Sequence, residues 1–253
     1  MSTRIAFVDA LNAKGRCEIA SARLAENEPG YDPLVLLPED DWEPLTAADV
    51  AALRPDADTP DSAVHEVVRL PFEPEELARV RELSVEFDLA TGSQSSLLDP
   101  FEGRHPSIFL GHTDSLAGQR TTTVDQSVNR RTGIHLDNWD KLPLPERHHS
   151  RRRLAVNLGP GDRYVLLATL DVRDLHAAYP IDAPFPRTGH VRDFVRKGGN
   201  LRCVRIRFGP GEGYVAPTEL VPHDGSTLGI EQPSRIAFWL GNWPRDVFPA
   251  AVA

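Results

Sequence analysis

The sequence predicts a mainly β protein, a sandwich or barrel with flanking helices, on three observations. From about residue 107 onward, short runs rich in β-branched and aromatic residues recur between turn signals. The chain carries 22 Pro and 18 Gly, which favours many short elements over a helical bundle. At 253 residues and 40% apolar content, it can bury the core of one large β-type domain.

Residues 1–45 read as a mixed lead-in, with a short helix around Ala22-Arg23-Leu24-Ala25 and then an extended segment punctuated by Pro29-Gly30, Pro33 and Pro38. Residues 46–53 read as a helix. Thr46 is its N-cap and Asp49 stands at the third helical position, a capping box with Asp in place of Glu. After a polar link over 54–62, residues 75–83 read as a second helix, opened by Glu75 and Glu76, with Leu77, Val80 and Leu83 at helical spacing. Both helices buttress a sheet and carry no chemistry. Strands follow at 107–111, 120–124, 133–139, 152–158, 163–168, 201–208 and 234–240, with a short helix over 190–198 that ends on Gly198. Gly159-Pro160-Gly161-Asp162 reads as a hairpin turn. Gly209-Pro210-Gly211-Glu212-Gly213 reads as another, since it lacks the Lys-Ser/Thr and the following helix of a phosphate loop.

The net charge of −9 argues against nucleic acid or an anionic membrane as partner. Cys17 and Cys203 form neither a disulfide framework nor a CxxC metal pair, which suits a cytoplasmic protein. Ile5-Ala6-Phe7-Val8 is too short a run for a signal peptide, and no stretch reaches the roughly 18 apolar residues of a membrane helix. Gly-x-Ser-x-Gly and HExxH are absent, which lowers the case for a serine hydrolase or zinc protease. A small molecule is the expected partner; the oligomeric state stays open.

Chemistry concentrates in residues 131–140. In an extended chain, residues two apart share a face, so His135 and Asp137 point one way while Ile134 and Leu136 point into apolar packing. One imidazole and one carboxylate make two-thirds of a facial metal site. His223, in Pro222-His223-Asp224-Gly225-Ser226-Thr227, is the best third ligand. Two His and one carboxylate with open positions suit non-haem Fe(II). A second H-x-D, His112-Thr113-Asp114, ranks lower because it runs into a loop-like Ser115-Leu116-Ala117-Gly118 and lacks the apolar alternation. Arg235, inside the last strand, offers a bidentate guanidinium for a co-substrate carboxylate.

With His135, Asp137, His223 and Arg235 in that order, the chain resembles the Fe(II)/2-oxoglutarate-dependent oxygenase superfamily. The resemblance implies a double-stranded β-helix (jelly-roll, cupin-like) core over residues 105–243 of a single domain, with 1–104 as helical and extended N-terminal additions. It implies Fe(II), 2-oxoglutarate and O2 as cofactor and co-substrates, and hydroxylation or a related oxidation (desaturation, cyclisation) of a small polar substrate such as a free amino acid or natural-product intermediate. Halogenating members replace the metal carboxylate with Gly or Ala; this chain keeps Asp137. The family often has a Ser two residues after the Arg, where this chain has Ala237, so Thr227, Ser234 and Tyr214 are the candidates for the hydroxyl at the co-substrate. Asn157 resembles the polar residue some members aim at the co-substrate; capping a hairpin is its other reading.

Asn138, Trp139 and Trp239 are candidates to line a substrate pocket, with core packing the alternative for the tryptophans. Asp125, Gln126 or Glu219 would hold an ammonium group or else lie in solvated loops. Arg147-His148-His149-Ser150-Arg151-Arg152-Arg153 reads as a solvated basic loop, with clamping of an anionic substrate as the other reading. Two rival functions stand beside the oxygenase: a cupin-like divalent-metal hydrolase or isomerase, and a metal-free jelly-roll binding module.

Overall fold

A computed structural model describes residues 2–70, 73–83 and 106–252. Strands numbered along the chain sort into two sheets. The first runs, in spatial order, β1 (Arg4–Ile5), β5 (Val64–Arg69), β12 (Glu212–Ala216), β9 (Arg152–Pro160), β14 (Ser234–Gly241) and β6 (Ser107–Ser115). The second runs β13 (His223–Ser226), β10 (Arg163–Ala168), β11 (Arg202–Phe208), β2 (Cys17–Glu26), β3 (Tyr31–Pro38), β8 (Arg130–Gly133) and β7 (Val124–Asp125), with β4 (Glu43–Pro44) on β2. The architecture is mainly β, with a sheet curled into a half-barrel.

Period-two alternation gives each sheet two apolar faces. Ala155, Tyr214 and Ile236 of the first sheet pack on Val165, Leu167, Val204, Ile206 and Phe208 of the second, forming the interior. The opposite face of the first sheet carries Leu154, Val156, Ala237 and Trp239, covered by Val80 of α3 (Pro74–Leu83). That of the second carries Tyr164, Leu166 and Cys203, covered by Val172 and Leu175 of α4 (Val172–Ala178) and Val191 and Phe194 of α5 (Thr188–Arg196). Two short helices, α1 (Val8–Ala13) and α2 (Ala47–Leu53), complete the N-terminal region. The capping box of α2 forms as the sequence indicates, with the Asp49 N–H donating to the Thr46 hydroxyl. Among the described residues no helix is long and apolar enough to cross a membrane.

Several expectations change. Residues 22–25 are strand, not helix, because Ala22 to Ala25 lie in register with Pro38 to Val35. β2 and β3 are inner strands of the second sheet, so the N-terminal segment is built into it. The proposed core boundary at 105 lies outside the described residues. Neither Gly-Pro turn closes a hairpin. β9 pairs with β12 and β14 while β10 pairs with β11 and β13, so residues 159–162 and 209–211 each carry the chain from one sheet to the other. Of 120–124 only Val124 is in a strand, and the regular strand before the metal segment ends at Gly133.

His65 on β5 is buried, and neither ring nitrogen has a hydrogen-bond partner among the described residues. Burial, with Arg152 nearby, pushes its pKa down to about 3. The unfolded chain therefore takes up this proton first, near the ordinary imidazole value of about 6.5. The folded form is unpenalised above that pH and loses stability as pH falls toward about 3, by at most about 1.4 kcal/mol per pH unit. Chemical denaturation of His65→Leu across pH 7 to 4 should show a shallower acid slope than the parent; an equal slope rejects this assignment.

Candidate metal centre

Gly133 ends β8 with φ +69°, and an added Cβ would lie 2.4 Å from Val35 Cγ2 and 2.6 Å from the Leu36 carbonyl. Only glycine lets the chain pass β3 this closely. Beyond it, the chain bends at Ile134 and residues 134–137 form no regular ladder. The alternation nonetheless holds: Ile134 and Leu136 enter the core under α4 and α5, while His135 and Asp137 face the other way. Thr188, at the start of α5, accepts the Leu136 N–H (3.1 Å) and fixes this segment from outside.

His135 and His223 stand directly opposite in an antiparallel bridge, exchanging N–H···O bonds of 3.0 and 2.9 Å. Directly paired residues share a face, so the two imidazoles meet, with centroids 4.7 Å apart. The Asp137 N–H donates to the Thr218 carbonyl at 3.1 Å, seating the carboxylate beside them. Asp137 Oδ1 lies 3.8 Å from His135 Nε2, and Asp137 Oδ2 lies 3.6 Å from His223 Nε2. One ligand atom from each residue lies within 4.8 Å of the others. An ion about 2.1 Å from each donor would bring them to about 3 Å apart, so the side chains need close in by roughly an ångström.

The ring nitrogens are set for this. His135 Nδ1 lies 2.8 Å from the Gly133 carbonyl and His223 Nδ1 lies 3.3 Å from the Val221 carbonyl. A carbonyl only accepts, so each Nδ1 carries a proton, which leaves Nε2 as the ligand atom of each ring. His223 Nε2 is buried, with no hydrogen-bond partner among the described residues. Burial holds the His223 pKa well below the imidazole range, so the ring is neutral and ready to ligate. Burial also opposes charge on His135, but Asp224 and Asp137 outweigh it and raise its pKa. Burial would raise the Asp137 carboxyl, yet Arg153 and the two imidazoles hold it below its ordinary value.

Sequence reasoning missed three neighbours of the triad. Asp224 is buried, with Oδ2 3.8 Å from His135 Nδ1 and Oδ1 accepting from the Thr123 N–H and hydroxyl. Arg153 reaches Asp137 Oδ2 at 2.6 Å, an ion pair. Arg163 opens β10 in phase with Val165 and Leu167, so it enters the interior, where its guanidinium meets the Thr122 hydroxyl (3.1 Å) and the Ser234 hydroxyl (3.4 Å). No carboxylate pairs with Arg163 among the described residues, and burial lowers its pKa to about 10. Arg153 and Arg163 line one cavity of about 170 Å³ with Thr122, Trp139 and Phe238. Asp224→Asn, which weakens the support behind His135, should reduce metal affinity about 10–100-fold. Titration with Zn(II) checks this, and unchanged affinity would remove Asp224 from the centre.

The remaining candidates disperse. Arg235 does not face the triad. It shares a face with Ala237 and Trp239, opposite Ile236 and Phe238 of the cavity, and its guanidinium holds Asp114 at 2.6 and 2.8 Å. Asn157 caps the sheet crossing, donating to the Gly161 carbonyl and accepting the Gly159 N–H. Thr227 donates to the Leu116 carbonyl and accepts the Gln119 N–H, so it ties down a loop. Of the hydroxyl candidates, Ser234 sits on Arg163 and Tyr214 is buried in the interior. Trp239 is core on the face under α3. Asp125 folds back on Ser127 in an exposed turn, Gln126 lines the cavity, and Trp139 stands half exposed at it. Asn138 accepts from Arg147.

The basic cluster is not a solvated loop. Arg147 and Arg152 are buried, Arg152 on Glu66 (2.6 Å) and Arg147 on Glu219 (3.0 Å), so Glu219 holds a guanidinium rather than facing solvent. No family model matches the chain, and no curated protein matches it.

Proposed function

We propose that this chain is a non-haem Fe(II)/2-oxoglutarate-dependent oxygenase on a double-stranded β-helix core, oxidising a small polar molecule such as a free amino acid or natural-product intermediate. The observation that carries the reading is the meeting, in one interior, of a His–Asp–His group with a buried guanidinium that has no carboxylate partner among the described residues. The donor set fits Fe(II), since two imidazoles and one carboxylate each offer a ligand atom within 4.8 Å of the others. When bound, iron supplies O2 activation coupled to decarboxylation of 2-oxoglutarate to succinate.

The residues divide the remaining work. His135, Asp137 and His223 hold the ion. On β10, Leu167 pairs with His223, and Arg163 lies four residues further, about 13 Å along the strand. Arg163, not Arg235, therefore takes the far carboxylate of a co-substrate whose other end reaches the metal, with Ser234 and Thr122 steadying the guanidinium. The cavity is smaller than the ~300–1,000 Å³ of drug-sized sites, which suits a metabolite. Asp137 fills the position that halogenating members leave to chloride, so hydroxylation, desaturation or cyclisation is the chemistry proposed.

Incubation with Fe(II), 2-oxoglutarate and O2 should release succinate, and omission of any one should stop it. Iron-loaded protein that leaves 2-oxoglutarate intact contradicts the reading. Metal-dependent turnover without O2 would move the function to a cupin-like hydrolase or isomerase. Gly225 supplies a sharper probe, because an added Cβ would lie 2.6 Å from Arg163 Nη2 and 2.5 Å from Thr122 Oγ1. Gly225→Ala should displace the guanidinium and weaken 2-oxoglutarate about 10–100-fold while metal affinity holds. Calorimetry on metal-loaded protein checks this, and undiminished co-substrate affinity would contradict the place given to Arg163.

A further inference from the structure

The cavity beside the triad holds two guanidiniums, and a dicarboxylic co-substrate needs only one. Its lining contains Arg153 and Arg163 but neither Asp nor Glu, and the rest is threonine, glutamine and apolar side chains. A cavity with that wall attracts anions and disfavours cations. The two arginines are held differently. Arg163 is fixed by the Thr122 and Ser234 hydroxyls and has no carboxylate partner among the described residues. Arg153 projects from the interior face of β9, where Ala155 also points inward. Its guanidinium lies 5.2 Å over the Phe238 ring, and its Nε is buried without a hydrogen-bond partner among the described residues. Its sole carboxylate partner among the described residues is Asp137, which is also the candidate metal ligand.

That shared carboxylate is the key. A divalent ion on Asp137 takes up much of the charge that now holds Arg153 and repels the guanidinium beside it. A buried guanidinium whose counter-charge is neutralised costs free energy until another anion arrives. Resting on the proposed oxygenase reading, we propose that Arg153 is a second anion receptor, distinct from Arg163, which selects a substrate bearing a carboxylate and holds it at the metal end of the cavity. Phe238 beneath the guanidinium and Trp139 on the same wall give such a substrate an apolar surface for its stem. The substrate class is thereby narrowed to small organic acids, amino acids included, whose carboxylate is anchored beside the carbon to be oxidised.

The test uses full-length protein loaded with Zn(II), which does not activate O2, and 2-oxoglutarate. Tryptophan fluorescence follows titration with hexanoate against hexanamide and phenylacetate against phenylacetamide. The wild type should bind each carboxylate at least about tenfold more tightly than its amide. Arg153→Met should bring that ratio near one while 2-oxoglutarate affinity changes by less than about threefold, and Arg153→Lys should restore part of the preference. Arg163→Met should do the reverse, weakening 2-oxoglutarate and sparing the ratio. The proposal is overturned if the wild type does not distinguish carboxylate from amide. It is equally overturned if Arg153→Met and Arg153→Lys weaken 2-oxoglutarate as much as Arg163→Met does, because both arginines then serve the co-substrate. Failure of the oxygenase reading shows separately, as no 2-oxoglutarate binding to metal-loaded wild type. The carboxylate-to-amide ratio on the Zn(II) protein alone then decides the role of Arg153.

Discussion

His223→Ala and Asp137→Asn are each expected to lower divalent-metal affinity by at least about 100-fold, beyond the 10–100-fold that follows loss of a supporting partner. The two losses have different physical origins. His223 is neutral and its Nε2 has no hydrogen-bond partner among the described residues, so alanine removes a ligand without stranding a charge. Its thermal stability without metal should stay near that of the parent. Asp137 also neutralises Arg153 at 2.6 Å, so removing its charge leaves a buried guanidinium unpaired. Asp137→Asn should therefore lose both metal and some metal-free stability. Calorimetric titration with Zn(II), alongside thermal melts of the metal-free proteins, separates the two effects. Equal metal affinity in His223→Ala would remove it from the centre.

Arg147→Met is expected to cost about 3–5 kcal/mol of stability. Arg147 and Glu219 are fully buried and lie 3.0 Å apart. Burial lowers the guanidinium pKa and raises the carboxyl pKa, so the interior favours neither charge by itself. What holds the pair is its connections. Arg147 donates to the carbonyls of Asp137 (2.7 Å) and Glu219 (2.6 Å) and to Asn138 Oδ1, and Glu219 accepts the Asp140 N–H. The pair thus ties the metal segment to the loop that leads into β13. Loss of Arg147 strands a carboxylate and frees the Asp137 backbone. Arg147→Met with Glu219→Leu should recover a large part of the loss, because neither charge then stays buried alone. Urea denaturation reads both values. A cost below about 1 kcal/mol for the single change would place the pair among surface-type ion pairs.

The triad was legible because its chemistry coincides with period-two alternation: Ile134 and Leu136 mark one face and leave His135 and Asp137 the other. The alternation survives even though regular strand stops at Gly133, because the His135–His223 bridge and the Asp137 N–H bond to the Thr218 carbonyl hold the segment. The arginines were not legible. β10 is apolar on both faces, so nothing in Arg163-Tyr164-Val165-Leu166-Leu167 says which phase faces the interior. β14 has the same ambiguity, and Arg235 falls on its outer phase. The basic cluster read as solvated because its seven residues hold four arginines and two histidines. Their counter-charges, Glu219, Glu66 and Asp137, lie elsewhere in the chain. The two Gly-Pro turns announce a change of direction, but sequence does not state whether the next strand joins the same sheet.

Anaerobic titration of the metal-free protein with Fe(II), followed by 2-oxoglutarate, tests the central claim most directly. The expected result is one ion per chain and a weak visible charge-transfer band that appears with 2-oxoglutarate, is lost in Asp137→Asn and His223→Ala, and weakens in Arg163→Met but not in Arg235→Met. Iron that fails to bind the wild type, or binds it and the two ligand variants alike, would contradict the metal centre and the function built on it.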